Sequence, residues 1–276
     1  LYKEGGTMND RGLQDSRALV TGALRGIGLA TAVRLAAEGA QVLVTDLSAP
    51  DDPLVTQVLA RLGPRAAYLP LNVAAEGDWD LARDWVQNRW GALDILVNNA
   101  GTDMVGPVDQ ASLAAWHRLM AINVDSVFLG VRAFTAALAA GGAQRRGGAS
   151  VVNVASIMGL VGFAETSAYN TSKGAVRLFT KAVAIEFAQA QKPIRVNSIH
   201  PGFVETPLLH VGMQRWVDQG KAAKAQDLID ALAGMTPMRR LAQPDEIASA
   251  IAFLASSDAS FMTGSELVVD GGWTAQ

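Results

Sequence analysis

Cysteine is missing altogether from the 276 residues of this chain. That excludes disulfides, thiolate nucleophiles and cysteine-held zinc or iron–sulfur centres, and it fits a reducing compartment. Histidine is scarce: His117, His200 and His210 are scattered without ligand spacing, so no metal site is expected. Charge is thin, at 18% of residues with a net charge of −3, and no run of one sign occurs. A basic footprint for nucleic acid is therefore absent, as is a charged tail. No apolar stretch reads as a membrane span, and no signal-peptide pattern opens the chain. The expectation is a soluble, cytoplasmic protein with no nucleic-acid or membrane partner.

Apolar residues are plentiful, at 50% of the chain. This length and composition suit one α/β domain with a large core. Leu1–Thr7 reads as vector-derived sequence before a natural start at Met8. Residues 1–14 are expected to form a tag remnant and flexible N-terminus, and residues 15–276 a single domain.

Within that domain, strand-like and helix-like segments alternate. Strands are expected at Arg17–Thr21, Val42–Thr45, Ala66–Leu71, Leu93–Val97, Ser150–Val154, Ile194–Ile199 and Glu266–Val269. Helices are expected at Gly28–Glu38, Leu81–Trp90, Leu113–Leu138, Ala168–Gln189 and Pro244–Ala255. The strands are continuously apolar, so both faces of their sheet must be covered, which implies a doubly wound parallel sheet. Residues 205–237 look irregular but carry Leu208, Leu209, Met213 and Trp216. They are expected to be a lid over a pocket or a peripheral helix packed on the core.

After the first strand comes T-G-A-L-R-G-I-G, with Gly22, Gly26 and Gly28. Glycines there permit a tight turn, close approach to a pyrophosphate, and packing of the next helix on the strand. That helix offers free N–H groups and a positive dipole end to the phosphates. Asp46 ends the second strand, where a carboxylate accepts the ribose hydroxyls of NAD and repels the extra phosphate of NADP. Arg25 argues for NADP, but a desolvated like-charge contact costs more than one exposed arginine returns. NAD is the expected cofactor, NADP the less favoured one.

Tyr169 and Lys173 lie four residues apart in S-A-Y-N-T-S-K, which places them on one helical face. An ammonium beside a phenol favours the phenolate. Bringing a tyrosine from its ordinary pKa of about 10 to near 7 takes roughly 4 kcal/mol, more than one lysine supplies. A positively charged nicotinamide beside the ring is expected to add the rest.

Taken with N-N-A-G at Asn98–Gly101, Ser156 thirteen residues before Tyr169, R-V-N-S-I-H-P-G at Arg195–Gly202 and the closing T-G-S-E-L-V-V-D-G-G, these motifs resemble the short-chain dehydrogenase/reductase family. The resemblance runs from Ser16 to Gln276. It implies a single-domain Rossmann fold with a seven-stranded doubly wound sheet. S-A-Y-N-T-S-K-G-A-V-R and the V-V-D-G-G-W-T-A-Q ending look like the bacterial secondary-alcohol and hydroxysteroid-type members.

The resemblance implies a catalytic set of Asn123, Ser156, Tyr169 and Lys173. Tyr169 is the acid or base, and Ser156 binds the substrate oxygen and supports the tyrosine. Lys173 tunes the tyrosine and binds the nicotinamide ribose. Asn123 is either the bend of a helix whose carbonyl holds a water linked to Lys173, or a satisfied buried asparagine. Implied cofactor contacts are Gly22, Arg25, Gly26, Ile27, Gly28, Asp46, Asn72, Val73, Asn99, Ala100, Gly101, Tyr169, Lys173, Pro201, Gly202, Val204 and Thr206. Asn72–Val73 stands where the family often has Asp-Val. His200 is read as structural.

Pocket walls are expected at Met158, Leu160, Phe203, Leu208 and Met213, an apolar set suited to a hydrophobic or cyclic alcohol. The expected reaction interconverts a secondary alcohol and its ketone. A 3-oxoacyl-thioester reductase using NADPH is the runner-up, and a catalytically silent NAD-binding sensor or scaffold is the alternative from another class. The resemblance also implies a homotetramer or homodimer built on the long helices, with W-T-A-Q at a subunit interface.

Overall fold

The computed structural model describes residues 11–276; the reading of Leu1–Thr7 and Met8 lies outside them. Seven strands form one parallel sheet: β1 (Arg17–Thr21), β2 (Gln41–Asp46), β3 (Ala66–Pro70), β4 (Ile95–Asn98), β5 (Ala149–Val154), β6 (Ile194–Pro201) and β7 (Glu266–Val269). Their spatial order is β3-β2-β1-β4-β5-β6-β7. The chain winds outward from β1 to β3, then crosses back to lay β4 on the other side of β1. That reversal opens a crevice beyond the carboxyl ends of β1 and β4, where ligands of such sheets bind.

Side chains alternate across the sheet, and both sets are buried. On one face Ala18, Val20, Val42, Val44, Ile95 and Val97 pack against α1 (Gly26–Ala37), α2 (Pro53–Leu62) and α9 (Pro244–Ala255). On the other, Leu19, Leu43, Leu96, Val151 and Val196 meet α3 (Glu76–Arg89), α5 (Ser126–Gly142) and α6 (Ser167–Gln189). Two-sided burial is why the strands read as unbroken apolar runs.

Several expectations need correction. Residues 11–14 are not a loose terminus: Leu13 is in the core, and Arg11 pairs with Glu38 and Asp258. A helix absent from the expectation, α2, starts where Asp52 accepts the Leu54 amide at 2.8 Å with Pro53 in the first turn. Residues 205–237 are not irregular. They form α7 (Pro207–Asp218) and α8 (Ala225–Met235), and Thr206 caps α7 by accepting the Leu209 amide.

The long helix also differs. α4 (Leu113–Met120), a π turn at Ala121–Asp125 and α5 run on as one apolar helix of 30 residues. By length and composition it could cross a membrane, contrary to expectation. Its apolarity is used inside the fold instead, since Leu129, Val131, Phe134 and Leu138 pack against the sheet and α3.

Candidate active site

The crevice beside β1 is shaped by glycines. Gly22 (φ +61°) and Gly26 (φ +54°) adopt the left-handed conformation. A Cβ on Gly28 would lie 2.3 Å from the Gly22 carbonyl oxygen and 2.5 Å from Asn99 Nδ2. The N-cap of α1 is Arg25, whose side chain makes no capping bond, so the first turn of α1 presents its amides outward. Ile27 lies in that turn. A backbone cradle that a single methyl group would fill, at an uncapped helix N-terminus, fits a dinucleotide pyrophosphate.

Thr21 and Asn99 brace this cradle. Thr21 Oγ1 accepts from the amides of Asn99 and Ala100, each at 3.0 Å. Asn99 Nδ2 in turn donates to the carbonyls of Thr21 (2.8 Å) and Gly22 (3.0 Å). N-N-A-G is thus joined to the glycine turn by four hydrogen bonds across β1 and β4. Thr21 was missed in the sequence because a strand-end threonine has no signal of its own.

At the far end of the crevice, Asp46 accepts the Leu24 amide at 3.1 Å and the Leu47 amide at 2.8 Å. Each oxygen retains acceptor capacity for a ribose hydroxyl. Arg25 is exposed, and its charge acts on Asp52, whose carboxyl is held below its ordinary value chiefly by the Leu54 amide. Asn72 is exposed, and its side-chain oxygen accepts the Ala74 amide at 3.1 Å. Val73 packs into the core below it.

The candidate catalytic side chains gather where β4, β5 and α6 converge. Tyr169 and Lys173 share one face of α6, with Lys173 Nζ 5.7 Å from the tyrosine ring centre. Lys173 is 5% exposed, and its ammonium donates to the Val154 carbonyl at 2.9 Å. Burial drives the lysine down to about 8. Burial also pushes Tyr169 up to about 12, against the lowering effect of a hydrogen bond from Ser156; Asp103 adds to the rise. This departs from the expectation that the neighbouring lysine leads the tyrosine downward. In the free protein desolvation of the phenolate dominates.

Ser156 follows β5, and its hydroxyl accepts the Met158 amide at 3.1 Å. Its carbonyl is held by His200 Nδ1 at 2.9 Å. A carbonyl can only accept, so Nδ1 carries the proton and Nε2 accepts from Ser198 Oγ, also at 2.9 Å. Burial lowers the affinity of that ring for a second proton. His200, expected to be structural, ties the Ser156 backbone to β6.

Asn123 lies inside the π turn. Its amide donates to the Thr102 carbonyl (2.9 Å) and Ser172 Oγ (3.0 Å), and its oxygen accepts the Thr102 amide at 2.8 Å. Asn123 is thus buried with its side-chain polar groups satisfied inside a π turn. A Cβ on Gly101 would sit 3.3 Å from Asn123 Oδ1 and 3.5 Å from Lys173 Nζ, which shows how closely these groups assemble.

After β6 and its terminal Pro201, Gly202 packs so tightly on Asp270 that a Cβ would meet its Cα at 2.8 Å. Val204 pairs with Ala242 as an isolated bridge. A Cβ on Gly26 would lie 3.4 Å from Thr206 Cγ2, so the start of α7 reaches across to the glycine turn.

Beneath α7 and α8, Phe203 and Met213 join Phe163, Leu209, Ile229, Leu232 and Leu241 in an apolar cluster. Phe203 stacks edge-on with Trp273 at 4.8 Å, and Phe163 touches Trp216 at 6.4 Å. Met158 is buried and Leu160 half-buried near Ser156, whereas Leu208 is 41% exposed and lies outside the cluster. Its neighbour Leu209 takes the inward place because the helix turns Leu208 away. Trp273, in the W-T-A-Q ending, packs on Phe203 within the chain. Among the described residues no cluster of metal-ligating side chains occurs.

Comparison with known proteins agrees with this geometry. A family model described as enoyl-(acyl carrier protein) reductase matches residues 22–274. A cyclopentanol dehydrogenase of Comamonas sp. is 43% identical, over 95% of this chain and 98% of its own. An NADP-dependent (R)-specific alcohol dehydrogenase of Lentilactobacillus kefiri is 35% identical, over 98% of this chain and all of its own. The solved structure of a ligand-free Thermoplasma acidophilum aldohexose dehydrogenase superposes with a TM-score of 0.83 at 29% identity, over 97% of each chain. Glycine cradle, Tyr-x-x-x-Lys helix and full-length relatives coincide along one chain, which therefore belongs to the short-chain dehydrogenase/reductase family.

Proposed function

We propose that this protein interconverts a hydrophobic or cyclic secondary alcohol and its ketone, with NAD as the preferred cofactor. The carrying observation is the aromatic and aliphatic cluster of Phe163, Phe203, Trp216, Trp273 and Met213 under α7 and α8. Residues 157–166 lead from Ser156 past Phe163 to the start of the Tyr169 helix, so one wall residue lies on the segment that joins the two. A cyclic hydrocarbon fits such walls, and a sugar would leave its hydroxyls unpaired there. Cyclopentanol, the substrate named for one relative, is the first to test.

The bound nicotinamide supplies hydride acceptance in one direction and hydride donation in the other. The chain supplies the rest. Ser156 Oγ holds the substrate oxygen, Tyr169 Oη takes or returns its proton, and Lys173 keeps a cation beside the phenol. Val154 O and Asn123 fix the lysine and the loop below it, and the cluster under α7 excludes water.

The acidic character of the ribose end favours NAD. Asp46 ends β2 there. Asp46→Ala should move the ratio of kcat/KM for NAD over NADP towards NADP by at least about tenfold, roughly 1.4 kcal/mol. Initial rates with both cofactors read this directly; a wild type that prefers NADP would reject the assignment. Turnover of 3-oxoacyl thioesters with NADPH and none of simple alcohols would reject the substrate class.

Homotetramer or homodimer formation is supported by the outward faces of α5 and α6. Phe128, Leu178 and Ile185 are exposed there, and Phe128 stacks on Phe179 at 6.5 Å. Light scattering should report a dimer or tetramer, and a monomer at micromolar concentration would contradict this.

A further inference from the structure

Asp103 is the second residue after N-N-A-G, and its carboxylate is mostly buried, with the side chain 15% exposed. Arg215, on α7, makes an ion pair with that carboxylate. The same Arg215 nitrogen lies 3.5 Å from the Asp103 main-chain oxygen. One turn earlier on the same face of α7 stands Gly212, where a Cβ would fall 2.6 Å from Asp103 Oδ2. The helix therefore rests directly on the carboxylate, and only a glycine allows it to come so close. Asp103 is also an acid whose charge reaches Tyr169. One side chain thus touches the covering helix and acts on the phenol.

Beyond the C-terminal end of α7 the same polarity repeats. Lys221 pairs with Glu165, just before α6, at 2.5 Å. At both places the cation belongs to the covering segment and the anion to the body beneath.

We propose that Asp103, Arg215 and Gly212 form a clasp that seats α7 over the apolar cluster of Phe163 and Phe203 and neutralises a carboxylate on the loop that leads from β4 towards the reacting tyrosine. The proposal rests on the reading of Tyr169 as the proton-transfer group. Asp103 and Arg215 are positioning residues here: Arg215 holds the roof down, and its charge offsets that of Asp103. The groups acting on Tyr169 are Asp103 from the loop after β4, Ser156 from the loop after β5 and Lys173 from α6 itself; Arg215 acts from α7 through Asp103.

Two variants must then move the pH profile in opposite directions. Arg215→Met opens the clasp and leaves an unpaired carboxylate beside the phenol. KM for a cyclic secondary alcohol should rise about tenfold with kcat changed less than about threefold. The ionisation governing kcat/KM should move to higher pH, because a nearby anion disfavours the phenolate. Asp103→Asn keeps an acceptor for Arg215 and removes the charge, so KM should change little and the same ionisation should move to lower pH. Gly212→Ala should raise KM as Arg215→Met does, by forcing the helix off the carboxylate.

Hydrogen exchange across residues 207–218 gives a readout independent of turnover. Exchange should quicken in Arg215→Met and Gly212→Ala and stay near wild type in Asp103→Asn. Unchanged exchange and KM in Arg215→Met, or pH shifts of the same sign in Arg215→Met and Asp103→Asn, would overturn the clasp. Failure of the underlying reading looks different: Tyr169→Phe would then turn over like wild type, whatever α7 does.

Discussion

Replacing Tyr169 by phenylalanine should lower kcat by about 10²–10⁴-fold, the contribution of a positioned general acid or base. The ring stays and only the hydroxyl goes, so the packing around Lys173 is preserved. NAD affinity, measured by calorimetry, should change less than about threefold, since the cradle at Gly22, Gly26 and Gly28 is untouched. Loss of turnover with retained binding separates proton transfer from cofactor positioning. Wild-type turnover in the variant would remove Tyr169 from the chemistry.

The second large effect is expected at Gly28. Its φ lies outside the left-handed region, so a side chain is forbidden only by what it would strike. A methyl group would be 2.3 Å from the Gly22 oxygen and 2.5 Å from Asn99 Nδ2, and the oxygen belongs to backbone. α1 must therefore move away from β1, separating its N-terminal amides from the turn beside them. Overpacking of this kind costs about 1–3 kcal/mol, so Gly28→Ala should weaken NAD binding by about 10–100-fold. The thermal midpoint should fall as well. Gly77→Ala is the matched control: it lies in α3 with nothing within 4 Å of the added carbon. That change should leave NAD binding intact and be neutral or stabilising, because alanine is the better helix former. Equal NAD affinity in Gly28→Ala and wild type would show that the cradle does not hold the dinucleotide as described.

Much of this fold could be read from the residues because its signals are local. Seven apolar runs bounded by turns gave seven strands, since burial on both faces removes the polar alternation that would obscure them. The missed helix α2 buries Val55, Val58 and Leu62 at helical spacing behind the Asp52 cap and Pro53, so its signals were present in the sequence and were passed over. Residues 205–237 hid α7 and α8 because several of their apolar side chains, among them Leu208 and Val211, remain exposed.

The site divides in the same way. Tyr169 and Lys173 are four residues apart, so helical geometry alone placed them together. Asp103 and Arg215 are separated by 112 residues, and only the fold shows that they meet. His200 and Ser156 are 44 residues apart and likewise meet only through the pairing of β5 with β6. The energetic sign was the least legible part. Spacing showed a cation beside a phenol, but the degree of burial decides which effect wins. Burial raises Tyr169 to about 12, which adds to the cost of forming the phenolate.

That cost makes the ionisation of Tyr169 the decisive quantity. Enzyme labelled with ¹³C at the tyrosine ζ carbon, with the Tyr169→Phe variant to assign the signal, reports it by NMR titration with and without oxidised NAD. A phenol that titrates near 12 in the free protein and falls to within about a unit of neutrality with NAD bound is the expected result. A Tyr169 signal still protonated above pH 10 in the complex, in an enzyme that oxidises cyclopentanol at neutral pH, would contradict it.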